Sequence, residues 1–323
     1  MNQKNQLFII IVILIAGLSL AYVKKTQKPH DADDYFKSDE WKEILKNAKP
    51  RPQVPDWAIP KPEEKPPQKI EPEWTEYLPV RSVTGLGKVL SDIDGHMPAG
   101  HIYKDNDKIT WAHETTHGIN SSLRQKFSKG YYGGFKTFYG EPAWKAIEGH
   151  PVFHNGVING FYALENKAAI INEPKTTIST AAALVPQSLR GPVYSLYMVQ
   201  QATSWNNTPL YIFDEWVAYT NGSACRLDLG IQERSETVSQ MLEFDVYATA
   251  LAMAVKKNDS SYDDKQFKAF LMWNIERSFE LFKGEERAKP YLNALRTSGD
   301  AEELRKFAKE YYGEDWTKRI MGF

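Results

Sequence analysis

Apolar residues group along this chain in three different patterns. The first is a continuous run, Leu7 to Val23, reading LFIIIVILIAGLSLAYV, with Lys4 before it and Lys24 and Lys25 after it. That length is at the low end for a membrane-spanning helix. Two fates fit it. A retained signal anchor would tether the rest of the chain outside the cytoplasm. A signal peptide would be cut after Ala21, where Ser19 and Ala21 supply the small residues such cleavage needs. The lysines directly after the run, and its length beyond most signal cores, favour the anchor. Positive charge on both flanks leaves its orientation open.

The second pattern is a near-absence of apolar periodicity from residue 26 to 79. A short helix is expected over Asp33 to Lys46, carrying Tyr35, Trp41 and Leu45 in otherwise charged company. From Lys49 to Pro79 prolines recur among lysines and glutamates. Each proline removes a backbone donor and fixes φ, so neither a helix nor a central strand can persist there. The stretch reads as an extended spacer that holds a domain clear of the lipid. Alternatively it wraps the domain as a pro-segment anchored by Trp57, Trp74 and Tyr77.

The third pattern, helical spacing, dominates residues 80–323, which are expected to form the folded domain. Glycines at 85, 87, 95 and 100 suggest loops and short strands up to about Asn106. A helix then opens near Lys108. Ile109, Ala112, Ile119, Leu123 and Phe127 line one side of it, and His113, His117, Asn120 and Arg124 the other. Residues 128–162, rich in glycine and aromatics, read as irregular or hairpin structure. From about Ser179 the chain is mostly helical. Thr208-Pro209 is a favourable helix opening, and that helix should stop at Gly230. Further helices are expected over about 235–257, 263–283, 287–297 and 300–312. The fold class is therefore α+β and helix-rich, with a small sheet in front and a mostly helical C-terminal half.

Composition narrows the function classes. The chain has 323 residues, of which 42% are hydrophobic and 13% aromatic, enough for one substantial core plus appendages. Lys+Arg (40) and Asp+Glu (41) nearly cancel, so no electrostatic footprint for nucleic acid is present. The single cysteine, Cys225, excludes an intramolecular disulfide and a thiolate-based zinc site. It reads as a small buried hydrophobe.

The chemistry concentrates at His113-Glu114-Thr115-Thr116-His117. On a helix, i and i+4 share a face, so both imidazoles reach one point. A zinc ion held there would lower the pKa of a water, and Glu114, turned about 100° around the axis, could take its proton without being a ligand.

The segment TWAHETTHGIN resembles the active-site helix of the zincin metallopeptidases. The likeness is specific at the five motif residues and covers little else. It implies a zincin-like domain that hydrolyses peptide bonds in a peptide or protein substrate, with zinc as cofactor and Glu114 as general base. The histidine that metzincins place soon after the motif is missing, since position 120 is Asn and 123 is Leu. A carboxylate, as in the gluzincin branch, is then the expected third ligand. Glu215, in FDEWVAY, is the choice: a carboxylate in apolar company needs a partner, and Ala218 reproduces the E-x-x-A spacing of several gluzincin helices. Glu165 and Glu173 are the next candidates. The thermolysin-like NExxSD pattern is not kept, and position 219, where a supporting acid would stand, is Tyr. Tyr211, one turn before Glu215, is the expected oxyanion donor, ahead of Tyr219, His150 and His154. Two other readings compete with a membrane-tethered or exported endopeptidase. One is a catalytically idle zincin-fold module bound to the envelope. The other is attack on a non-protein bond, as in cell-wall peptide. The intact Glu114 favours an enzyme, because a structural zinc site has no use for it.

Overall fold

The computed structural model describes residues 70–99, 101, 103–127, 158–232, 236–282 and 285–323. Its strands form a three-stranded antiparallel sheet in the order β1-β3-β2: β1 is Trp74–Glu76, β2 is Ile158–Tyr162 and β3 is Lys167–Asn172. Trp74 pairs with Ala169, and Phe161 opposite the same residue completes the ladder. Ten α-helices surround the sheet among the described residues. In chain order α1 is Lys88–His96, α2 Lys108–Phe127, α3 Ile178–Leu184, α4 Ala202–Trp205 and α5 Tyr211–Asp228. Next come α6 Glu236–Asn258, α7 Lys265–Phe282, α8 Lys289–Thr297, α9 Glu302–Tyr312 and α10 Glu314–Ile320. The α+β, helix-rich class expected from the periodicity holds.

The sheet separates two apolar clusters. On one side Phe161 packs on Phe270 (centroids 5.5 Å apart) and Phe213, inside the large core formed by α3, α5, α6 and α7. On the other side Tyr162 and Ala168 join Leu90, Ile93, Ala112, Ile119 and Leu123 in a smaller cluster beneath α1 and α2. Gly160 of β2 sits against Leu123, where a Cβ would lie only 2.5 Å from the leucine Cβ. The motif helix is thus seated directly on a strand. Its first turn is capped by Asp107, whose Oδ1 accepts from the Ile109 and Thr110 N–H groups.

Several expectations need correction. The boundary at residue 79/80 falls too late, because Trp74–Glu76 hydrogen-bonds into the sheet and Trp74 packs edge-on against Trp273 at 4.7 Å. The loop reading of residues 80–106 missed α1, which opens after Gly87 at φ 86 and buries Leu90 and Ile93. The helix assigned to Thr208-Pro209 begins at Tyr211 instead. Thr208 Oγ1 donates to the Trp205 carbonyl, and the cap comes from afar: Glu173 Oε1 accepts the Leu210 N–H at 2.7 Å. A last helix, α10, was not anticipated. The apolar run at Leu7–Val23, the 33–46 helix, most of the spacer, His150 and His154 lie outside the described residues. Among the described residues no helix is long and apolar enough to cross a membrane. Cys225 is buried and unpaired with any thiol, and burial pushes it up to about 12.

Helix α6 buries two carboxyl groups. Glu243 accepts from the Tyr247 hydroxyl at 2.7 Å and the Val193 N–H at 3.3 Å, yet burial still pushes it up to about 8 from an ordinary 4.5. Burial likewise raises Asp245 well above the carboxylate range. The folded chain therefore holds protons that the unfolded chain releases. Stability should fall as pH rises from 4.5 through about 8, and Glu243→Gln should flatten that slope in a thermal-melt series. A slope unchanged in the variant would contradict the assignment. Gly160→Ala should destabilise by about 1–3 kcal/mol through overpacking against Leu123, measured by chemical denaturation. An unaltered midpoint would show that β2 does not bear on α2 this closely.

Candidate metal centre

The motif helix α2 and helix α5 cross with small residues between them. Gly222 lies against Ile109 and His113, so that a Cβ there would be 3.6 Å from Ile109. Ala218, expected to allow this approach, is fully buried on the same helix. The crossing brings His113, His117 and Glu215 together, and their ligand atoms lie within 4.8 Å of one another.

The triangle is tight. His113 Nε2 and His117 Nε2 are 3.1 Å apart, and Glu215 Oε2 is 3.5 Å from the first and 3.4 Å from the second. A tetrahedral ion with bonds of about 2.0–2.1 Å has ligand–ligand edges of about 3.3–3.4 Å. The observed edges bracket that value. Glu215 Oε2 is also buried without accepting a hydrogen bond. An ionised oxygen in that state is unfavourable unless a cation satisfies it. The donor set of two imidazoles and one carboxylate therefore fits a divalent cation.

Two neighbours hold the ligands in orientation. Tyr211, one turn before Glu215, donates its hydroxyl to Glu215 Oε1, leaving Oε2 for the histidines. Asp214 Oδ2 lies 3.2 Å from His117 Nδ1. A carboxylate can only accept there, so the proton sits on Nδ1 and the Nε2 lone pair faces the cluster. Asp214 is held in turn by Asn120 Nδ2 at 2.7 Å and by Arg124 Nη2 at 3.6 Å, both from α2. The chain of contacts continues inward. Arg124 Nε donates to Asn159 Oδ1, and Asn159 Nδ2 donates to Glu173, which caps Leu210 at the start of α5. Burial drives Glu173 up to about 7 against these bonds.

In the metal-free chain the charges interlock. Burial alone would lower His117, but the carboxylates of Asp214 and Glu215 outweigh it and hold the imidazole well above its ordinary value. Burial would raise Glu215, but the charge of His117 and the close approach of both histidines pull it well below the carboxylate range. Asp214 is lowered in the same way, with His117 and Arg124 overcoming burial. A cation bound at the cluster would therefore compete with a proton for His117.

Glu114 is half-buried beside His113, and its charge reaches Tyr211 and Tyr219. Tyr219 sets its ring edge-on to His113 at 4.6 Å, and its hydroxyl is 3.0 Å from that of Tyr197. Tyr197 belongs to a π-helical turn, Ser195–Gln200. Trp205 stacks flat on Tyr211 at 4.9 Å. The two alternative ligands lie elsewhere. Glu165 pairs with Lys88 at 2.6 Å on the surface, and Glu173 is spent on Asn159 and Leu210. His96 is fully buried among Asp92, Tyr77, Asn166 and Tyr162. His101 packs against Gly118, and burial with the charge of Arg81 lowers it to about 4.

Sequence reasoning gave no role to Asp214, Asn120 or Arg124. The signal for Asp214 was the adjacent pair of acids in FDEW: consecutive helical residues diverge by about 100°, so the two carboxylates can address different atoms of one histidine. No protein-family model, curated protein or solved structure matches the chain.

Asp214→Asn should keep the fold and lower affinity for a divalent cation about 10–100-fold, as loss of the partner of a ligand histidine does elsewhere. Competition with a chromophoric chelator measures it, and unchanged affinity would rule Asp214 out as an orienting group.

Proposed function

We propose that the chain is a zinc metallopeptidase of zincin type, with His113, His117 and Glu215 as ligands and Glu114 as general base. The observation that carries this reading is the tight His113–His117–Glu215 triangle with its unsatisfied Glu215 oxygen, placed beside a glutamate that has no ligand role. Support for a zincin-like arrangement comes from the motif helix seated on a small antiparallel sheet with a second helix delivering the carboxylate.

Zinc supplies Lewis acidity when bound. The protein's own groups do the rest. His113 and His117, on one face of α2, offer two nitrogens in fixed register. Tyr211 and Asp214 hold Glu215 and His117 in their rotamers. Glu114 accepts the proton of the attacking water and returns it to the leaving amine. Because the Tyr211 hydroxyl is committed to Glu215, we assign it a positioning role in place of the oxyanion donation expected at first. We assign the hydroxyl for a developing oxyanion to Tyr219, whose ring lies against His113 and whose hydroxyl meets that of Tyr197. The substrate is a peptide or protein. With Leu7–Val23 as anchor or signal, the site would work outside the cytoplasm.

Metal content and chelator-sensitive cleavage of a peptide library test this directly. Glu114→Gln should retain zinc and lose about 10²–10⁴-fold in kcat/KM. His113→Ala and Glu215→Ala should lose the metal and the activity together. Hydrolysis retained in Glu114→Gln would sink the mechanism, and undiminished zinc in Glu215→Ala would remove the third ligand. A wild-type chain that binds zinc but cleaves no peptide would favour the idle binding module.

A further inference from the structure

A second site lies apart from the metal centre. Helix α1, the β2–β3 turn, helix α7 and the segment around Pro79 line an open cleft of about 690 Å³ that shares no residue with the histidine–glutamate cluster. That size suits a small organic ligand.

Its charged groups divide into two kinds. Most are satisfied within the wall. Arg81 pairs with Asp94, and Lys88 pairs with Glu165. Asp92 Oδ2 accepts from the Tyr162 hydroxyl and the Glu165 N–H, each at 2.9 Å, and Glu71 accepts from Trp74 Nε1 at 3.0 Å. Two cations make no contact ion pair among the described residues, although the charges of Glu165, Asp92 and Glu280 reach Arg277 and that of Lys167 reaches Glu165. Arg277 makes no ion pair and no hydrogen bond among the described residues, and its Nη1 is buried without a partner. Its guanidinium lies over the Trp273 ring at 5.3 Å, and burial lowers it to about 10. Lys167 likewise has no carboxylate partner among the described residues and lies over the Trp74 ring at 5.8 Å. The two tryptophans touch edge-on at 4.7 Å, and Trp273 lines the cavity beside Arg277 and Lys167. The remaining acid in the lining, Glu280, is exposed.

The rim is strained. Leu164, Glu165 and Asn166 are consecutive non-glycine residues with φ of 68°, 54° and 62°. Such backbone persists only where its surroundings hold it, and it clusters at ligand clamps. Here the Glu165 N–H to Asp92 and the contact of Asn166 Oδ1 with His96 do the holding.

A guanidinium N–H buried without an acceptor is unfavourable until an oxygen meets it, and the planar fork matches a carboxylate. We propose that this cavity binds a small monocarboxylate whose apolar body lies along Trp273 and whose carboxylate meets Arg277 and Lys167. A monoanion suits the site better than a phosphate dianion, because Asp92, Glu165, Glu280 and Glu71 all face the same space.

Titration of the full-length chain with sodium benzoate, followed by calorimetry, tests the site without reference to zinc or hydrolysis. Saturable binding of one benzoate is expected, with much weaker binding of neutral benzamide and of inorganic phosphate. Arg277→Met should weaken benzoate about tenfold or more. Lys167→Met, at a partly exposed position that leaves the fold intact, should weaken it by a smaller factor and covers the case in which the Arg277 variant fails to fold. Benzamide or phosphate binding as well as benzoate, an absence of saturable benzoate binding, or undiminished affinity in Lys167→Met together with a folded Arg277→Met would each overturn the proposal.

Discussion

The carboxylate of Asp214 on α5 meets three side chains of α2: His117, Asn120 and Arg124. All four groups sit where water is largely excluded, and there each is unfavourable unless the others are in place. Because the partners lie one and two turns apart along α2, they fix both the rotation and the sliding of one helix against the other. The His113–His117–Glu215 triangle inherits that precision. Glu215 lies one residue beyond Asp214, so whatever seats Asp214 against His117 Nδ1 also carries Glu215 to the opposite side of the same imidazole.

The same acid explains why the sheet matters to a site built on helices. Arg124 hands the network to Asn159 on β2, and Asn159 hands it to Glu173 just after β3. Glu173 then caps the first turn of α5, the helix that bears both acids. Helix, strand and helix are therefore joined in a closed polar circuit through the interior. Disturbing one member propagates to the ligands through bonded neighbours and needs no long-range motion.

The sheet also divides the protein's work. Its large-core side, with Phe161, Phe213 and Phe270, is apolar and holds the helical half together. On the α1 and α2 side Tyr162 carries a polar group at each end. Its backbone N–H meets Asn120, beside the metal centre, and its hydroxyl meets Asp92, in the wall of the cavity at the β2–β3 turn. One buried residue thus lies between the histidine–glutamate cluster and that cavity and ties both to the same strand.

The sequence alone determined what depends on neighbours in the chain. The motif helix, the succession of helices after Ser179 and the face shared by His113 and His117 come from spacings of three and four residues, which the α-helix turns into geometry by itself. Glu215 was also legible, because a carboxylate inside an apolar helix demands a partner. Helix α1, the strand at Trp74–Glu76 and the start of α5 at Tyr211 were not legible. Short segments are settled by what they pack against, and the cap of α5 comes from Glu173, 37 residues upstream of Leu210. Tertiary structure alone decided which acid meets which nitrogen: Asp214 and Asn120 are 94 residues apart, and no local pattern records their contact. Tyr211 shows the limit most plainly. Its place one turn from Glu215 was readable, but whether its hydroxyl meets Glu215 or turns away from it depends on how two helices cross.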